Sequence, residues 1–174
     1  MIKFFSISLF FFLWACSGYE FVYSDKPIIK EIKNNASVIV DGSDLTATTQ
    51  LLKNKLGKVN SKQFLITASV VKKITPITIE KDGSVTKHEI KHVINYIFEN
   101  IESKCEVFSK EISTTTTYNS SASGFSFASD VGKDETNKKN IKKNIENFLD
   151  YIVSNISSLS CENESYSRKN YRFF

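Results

Sequence analysis

A stripe of apolar residues near the C-terminus constrains the fold more than anything else in the chain. Ile141, Ile145, Phe148, Leu149, Ile152, Val153, Ile156 and Leu159 recur at intervals of three and four, a rhythm that lines one side of an α-helix. Lys142, Lys143, Glu146 and Asp150 fall on the other sides. The helix expected from Lys139 to Leu159 therefore lies on a surface, and its wide apolar stripe must cover a sheet.

The preceding sequence supplies that sheet. Ala36 to Val40 is a short apolar run closed by Asp41-Gly42, which suits a buried strand and a turn. Ser43 and Asp44 offer N-caps to a helix carrying Leu45, Leu52 and Leu56, with Gly57 placed to end it. Phe64, Ile66, Ala68 and Val70 alternate with Leu65, Thr67, Ser69 and Val71, the period of a strand with one face more apolar than the other. Ile77 and Ile79 lead into Asp82-Gly83, a strong hairpin signal, and a β-rich stretch runs from Val85 to Phe98. Cys105 to Tyr118 reads as a further strand ending in four threonines, and Ser120 to Ser129 as a Ser-rich loop docked by Phe125 and Phe127. The expected fold is α+β, a two-layer sandwich of order β-α-β-β-β-α. Two helices pack on one face of a mixed four-stranded sheet, whose first two strands are parallel through the helical crossover.

The N-terminus carries an export signal. Lys3 precedes a short run of Phe, Ile, Leu and Ser that ends in Leu13-Trp14-Ala15-Cys16, too short to span a bilayer and shaped as a cleavable leader. A cysteine directly after the small residue is where a bacterial lipobox places its acylated thiol. Leu13 and Ala15 fit that pattern, while Trp14 stands where a smaller residue is usual. Residues 1–15 are thus expected to be removed, Cys16 to be the only lipidated residue, and residues 16–35 to form an extended acylated tether. Several acyl chains on one residue suffice for stable anchoring. Ser17 does not resemble the Asp of an inner-membrane retention signal, which leaves the outer membrane as the expected location.

Removing 15 of 174 residues leaves 159, enough for one domain, here residues 36–161. Lys3 leaves with the signal, so 22 basic residues stand against 19 acidic ones, a balance that does not point to nucleic acid. Cys105 and Cys161 remain. In an exported protein they form one possible disulfide, and they would serve equally as two small buried hydrophobes. Residues 162–174, ending Tyr171-Arg172-Phe173-Phe174, read as a flexible tail.

One motif looks catalytic. His88-Glu89-Ile90-Lys91-His92 contains the only two histidines and matches the zinc-peptidase pattern, in which two imidazoles one helical turn apart bind the metal. The segment follows a hairpin turn and is rich in β-branched residues, so a strand is expected. There the rings would stand about 13 Å apart, beyond the reach of one zinc. The preferred reading is two partly exposed strand histidines with no metal, no cofactor and no catalytic role, and no nucleophile elbow or phosphate-binding loop appears elsewhere.

In order, Cys16-Ser17-Gly18-Tyr19-Glu20-Phe21, the strand Phe64 to Val71, the hairpin Glu80-Lys81-Asp82-Gly83, the strand ending Asn95-Tyr96, Thr117-Tyr118-Asn119, Ser123-Gly124-Phe125 and the last helix resemble the LPS-assembly lipoprotein family, the LptE type. The resemblance covers nearly the whole mature chain, and it rests on order and spacing more than on any single piece. It implies a non-enzymatic, periplasm-facing outer-membrane lipoprotein that sits inside an LptD-type β-barrel, helps it assemble and contacts lipopolysaccharide. Lipopolysaccharide phosphates call for lysines near a loop tip. Lys81 is the first candidate, with Lys72, Lys73 and Lys133 behind it. The rival reading is an auxiliary lipoprotein of an ABC-type lipid transporter.

Overall fold

A computed structural model describes residues 27–120, 126–157, 159 and 161. The elements run α1 (Pro27–Ile32), β1 (Ala36–Gly42), α2 (Leu45–Leu56), β2 (Phe64–Ile79), β3 (Val85–Asn100), β4 (Cys105–Asn119) and α3 (Ser126–Asn155). One sheet has the order β1-β2-β3-β4. β1 pairs with β2 in parallel, Ala36 opposite Phe64 and Gly42 opposite Val70. The β2–β3 and β3–β4 pairs are antiparallel. This is the expected two-layer α+β arrangement, with a third, short helix added. The leader, Cys16 and the tail from residue 162 lie outside the described residues.

Alternate residues of the first half of β2 and of β3 feed the core, Phe64, Ile66, Ala68 and Val70 on β2 and Ile90, Ile94, Tyr96 and Phe98 on β3, with Ile112 from β4. Ile141, Ile145, Phe148, Leu149 and Ile152 of α3 close over them, joined by Leu52 and Leu56 of α2. Tyr96 stacks on Phe148 with ring centroids 3.9 Å apart, and Phe98 stacks on Phe108 at 5.2 Å. Large flat rings bury much apolar area in few degrees of freedom.

Three boundaries depart from expectation. Residues 27–32 are helical where an extended tether is expected. Pro27 suits the first turn of a helix because its ring fixes φ, and six residues are too few to show a helical period. Ile29 and Ile32 are buried, so the domain begins before Ala36. β2 runs unbroken through Lys72, Lys73 and Pro76, which interrupt the apolar alternation. Pro76 is tolerated because the register shifts beside it, the place where a missing N–H costs least. Finally, α3 begins at Ser126, so the expected loop is helical from that point. The side chains of Phe125 and Phe127 lie outside the described part.

Part of α3 ahead of Lys139 is supported by polar pairs. Asp134 pairs with Lys138 at 3.0 Å and Glu135 with Lys139 at 2.8 Å, both at i,i+4. Acid before base at that spacing supports a helix without any apolar residue. At the other end the helix stops at Asn155, and Leu159 is buried beyond it. Cys161 forms a disulfide with Cys105, Cα atoms 6.4 Å apart. No described helix is long and apolar enough to cross a membrane.

Candidate functional site

Gly42 begins the construction of the site. Its φ is +86°, and a Cβ there would lie 2.2 Å from the carbonyl oxygen of Val70. Only glycine lets β1 leave the sheet this close to β2. Ser43 N–H then donates to the same oxygen at 2.9 Å, which brings Asp44 above the next core-facing residue of β2, Lys72. Asp44 adopts the left-handed conformation, φ 49°, and its side chain makes no capping bond to α2. The expected N-cap is thus only positional. The carboxylate turns inward, accepting from Lys72 Nζ at 2.8 Å on Oδ1 and meeting His92 Nε2 at 3.1 Å on Oδ2.

His92 is completely buried, which corrects the expectation of a partly exposed strand histidine. Its Nδ1 lies 2.9 Å from Asn140 Nδ2. An amide N–H donates and cannot accept, and the same Nδ2 also donates to the backbone oxygens of Ile90 at 3.0 Å and Thr114 at 3.3 Å, which fixes the amide orientation. His92 Nδ1 is therefore the acceptor, and Nε2–H donates to Asp44. The ring is neutral in this arrangement.

The network continues along α3. Asn144 Nδ2 donates to the Ile112 carbonyl at 2.9 Å and to Thr114 Oγ1 at 3.1 Å. Tyr96 Oη donates to Asn144 Oδ1 at 3.0 Å. Asn137, Asn140 and Asn144 recur at three and four residues on the core side of α3, prolonging the Ile141-Ile145 stripe in polar form. Apolar periodicity alone does not reveal them. Their own spacing was the available signal.

Lysine and histidine positions separate sharply. Lys72 and Lys133 share one cleft of about 440 Å³, lined among the described residues also by Asp44, Asp130, Val131, Asp134 and Asn137. Lys72 there is the counter-ion of Asp44. Lys73 is exposed on β2 opposite Lys91. Lys81 is exposed at the β2–β3 turn. His88 stacks on Tyr118 with centroids 5.0 Å apart, and its Nδ1 lies 3.3 Å from Ser120 Oγ, which donates to the Val85 carbonyl at 2.6 Å. Both histidines lie on β3, as expected, but only His88 is partly exposed while His92 is buried. Among the described residues no group of three or more His, Cys, Asp or Glu is placed to hold a metal.

Electrostatics tie this network to pH. Burial pushes the His92 imidazole below its ordinary value of 6.5, and the bond and charge of Asp44 only partly oppose this. Burial pushes the Asp44 carboxyl up, but bonds from Lys72, His92 and Asn137 outweigh it and hold the group below 3.8. Both folded values lie beneath the unfolded ones, so the unfolded chain binds more protons and stability rises with pH. The His92 contribution is complete above 6.5 and is lost as pH drops from there through the folded value. The Asp44 contribution goes only below 3.8. Thermal unfolding between pH 8 and pH 5 should show a midpoint that declines with acid, and a His92→Gln variant should flatten that decline.

No protein-family model matches the sequence, and no curated protein does. Solved structures do. A candidate lipoprotein from Caulobacter crescentus superposes with a TM-score of 0.59 at 10% identity, covering 72% of this chain and 92% of that one. Rare lipoprotein B from Shewanella oneidensis gives 0.50 at 13% identity, covering 68% of this chain and 93% of that one. An uncharacterized lipoprotein B from Nitrosomonas europaea gives 0.51 at 13% identity, covering 68% and 81%. The chain shares its fold with these lipoproteins.

Proposed function

We propose that this chain is a non-enzymatic outer-membrane lipoprotein of the LptE type. It is anchored through Cys16, seats in an LptD-type β-barrel that it helps to assemble, and contacts lipopolysaccharide through the β2–β3 hairpin. The observation that carries this reading is the shared fold: two chains named lipoprotein B match over 81% or more of their own length. The acylation signal before Cys16 is independent of that match and agrees with it.

The layer arrangement supports a seated domain. Helices cover one face of the sheet and leave Ile39 54% and Val71 64% exposed on the other. A surrounding wall would cover such a face. The hairpin supports contact with an amphiphile. Ile77 and Ile79 are 48% and 63% exposed, next to Lys81. The turn closes through Glu80 N–H to the Ser84 carbonyl at 2.8 Å and Gly83 N–H to the Glu80 carbonyl at 2.9 Å. Ser84 donates to Asp82 from its backbone and its hydroxyl, and Thr86 donates to Glu80. Both carboxylates thus face the turn, and Lys81 is the charge left pointing outward.

Lys81→Glu tests the hairpin assignment. An exposed turn charge contributes little to the fold, so the variant should still enter the barrel complex. Reversal at one phosphate contact should weaken lipopolysaccharide binding by about fivefold. Binding equal to that of the parent chain would remove Lys81 from the contact.

A further inference from the structure

We infer that the free lipoprotein rests its domain on an anionic phospholipid surface, through the end that carries the α1–β1 and α2–β2 connections. The carrying observation is a segregation of charge. From Leu45 to Ile79 there is no Asp or Glu, against Lys53, Lys55, Lys58, Lys62, Lys72 and Lys73. Lys55 and Lys72 are taken up by Glu146 and Asp44. Lys53, Lys58 and Lys62 stay exposed around the α2–β2 connection, joined by Lys33 of the α1–β1 connection. None of these four forms an ion pair among the described residues, and the carboxylates of neighbouring segments, Glu31 and Glu102, do not balance them.

The two connections make one platform. Asn34 N–H donates to the Leu56 carbonyl at 2.7 Å, and the Asn34 carbonyl accepts from Asn60 N–H at 2.7 Å. Gln63 N–H donates to the Asn35 carbonyl at 3.1 Å, and Ser61 Oγ donates to Asn35 Oδ1 at 2.8 Å. Gly57 permits this approach, because its φ is +83° and a Cβ there would collide with Asn34 Oδ1. The lysines are thus carried on fixed main chain. Lys53 and Lys58 flank a hollow of about 620 Å³ with Asn54, Gly57 and Val59. Ile101, 40% exposed, is tied to the same platform through its N–H, which donates to the Gln63 carbonyl at 2.9 Å. Lysines around a hollow, with an aliphatic side chain beside them, suit phosphate headgroups over an acyl boundary.

The anchor selects the partner, and the inference rests on the reading of Cys16 as the acylated residue. Cys16 lies 11 positions before Pro27, a reach of at most about 40 Å, and α1 leads from Pro27 into Lys33. A lipid surface is therefore always within reach of this end, whereas a soluble acidic partner has to be recruited. Lys81 follows the far end of β2, 16 residues or about 50 Å away. The two basic sites serve different surfaces.

The acylated protein, inserted into preformed vesicles of phosphatidylcholine with or without phosphatidylglycerol, provides the test, with reductive methylation of each lysine followed by mass spectrometry. Lys33, Lys53, Lys58 and Lys62 should react about fivefold more slowly on the anionic vesicles. Lys81 should not change, and high salt should restore the rates. Lys58→Gln combined with Lys62→Gln, both exposed, should leave the circular dichroism intact and return most of the reactivity of Lys33 and Lys53. Flotation with the neutral vesicles reads the anchor separately: a chain that does not float with them removes the anchor and this inference with it. Equal rates on both vesicles, or slowing that includes Lys81, would overturn the platform while leaving Cys16 in place.

Discussion

Replacing both Cys105 and Cys161 by alanine should lower the unfolding free energy by about 4 kcal/mol, from the entropy of closing a loop of this length. The two residues are 56 apart in sequence, and the loop holds β4 and all of α3. The bond fixes more than the unfolded chain. It holds the segment after Asn155 against the turn between β3 and β4, where Leu159 is 3% exposed and its carbonyl accepts a long bond, 3.5 Å, from Asn100 Nδ2. Denaturant unfolding with and without reductant should show the difference in the parent chain and none in the double variant. An unchanged midpoint on reduction would remove the bond from the account.

Asn140→Leu should cost about 3 kcal/mol, because it leaves buried acceptors without their donor. His92 Nδ1 and the Ile90 and Thr114 carbonyls share the two amide protons of Asn140, and the substitution removes both. Leucine restores volume, so the loss isolates hydrogen bonding from packing. For a domain of this size the midpoint should fall by about 10 °C. Residues in one network couple, so His92→Leu with Asn140→Leu should cost less than the two single changes added together. Additive costs would show that the two side chains are held independently.

The apolar half of this architecture was legible because each of its signals is local. Ile141 through Ile152 mark a helix by their own spacing, and Phe64 to Val70 mark a strand by theirs. The parallel β1–β2 pair followed from a helix between two strands. What stayed hidden depends on residues distant in sequence. His92 sits on a strand as its neighbours indicated, yet its burial comes from Asp44 and Asn140, both 48 residues away. Asp44 occupies an N-cap position, but its carboxylate serves Lys72 instead, and no local rule separates those uses. The part of α3 before Lys139 carries no apolar period, and ion pairs from Asp134 and Glu135 support the turns just ahead of it. α1 was invisible because six residues cannot show a period. Among the lysines, sequence grouped Lys72 with Lys81 by charge alone, whereas the fold makes one a counter-ion within the domain and the other a free charge at a turn.

The buried polar row and the functional proposal meet at one point. A domain that covers only one face of its sheet must hold its helices in a single position by specific bonds if the other face is to meet a partner reproducibly. Asn140 and Asn144 supply those bonds from α3 to β3 and β4. Loosening them should reduce partner assembly along with stability, while Lys81→Glu should leave both intact.

Affinity purification of the full-length chain from detergent-solubilised membranes, followed by identification of what co-purifies, decides whether the chain's partner is an outer-membrane barrel. A stable complex with an LptD-type β-barrel, a mature N-terminus that is acylated Cys16, and less assembled barrel on depletion of the chain are the expected results. Recovery of an inner-membrane ABC-type transporter with no barrel would contradict the proposed partner.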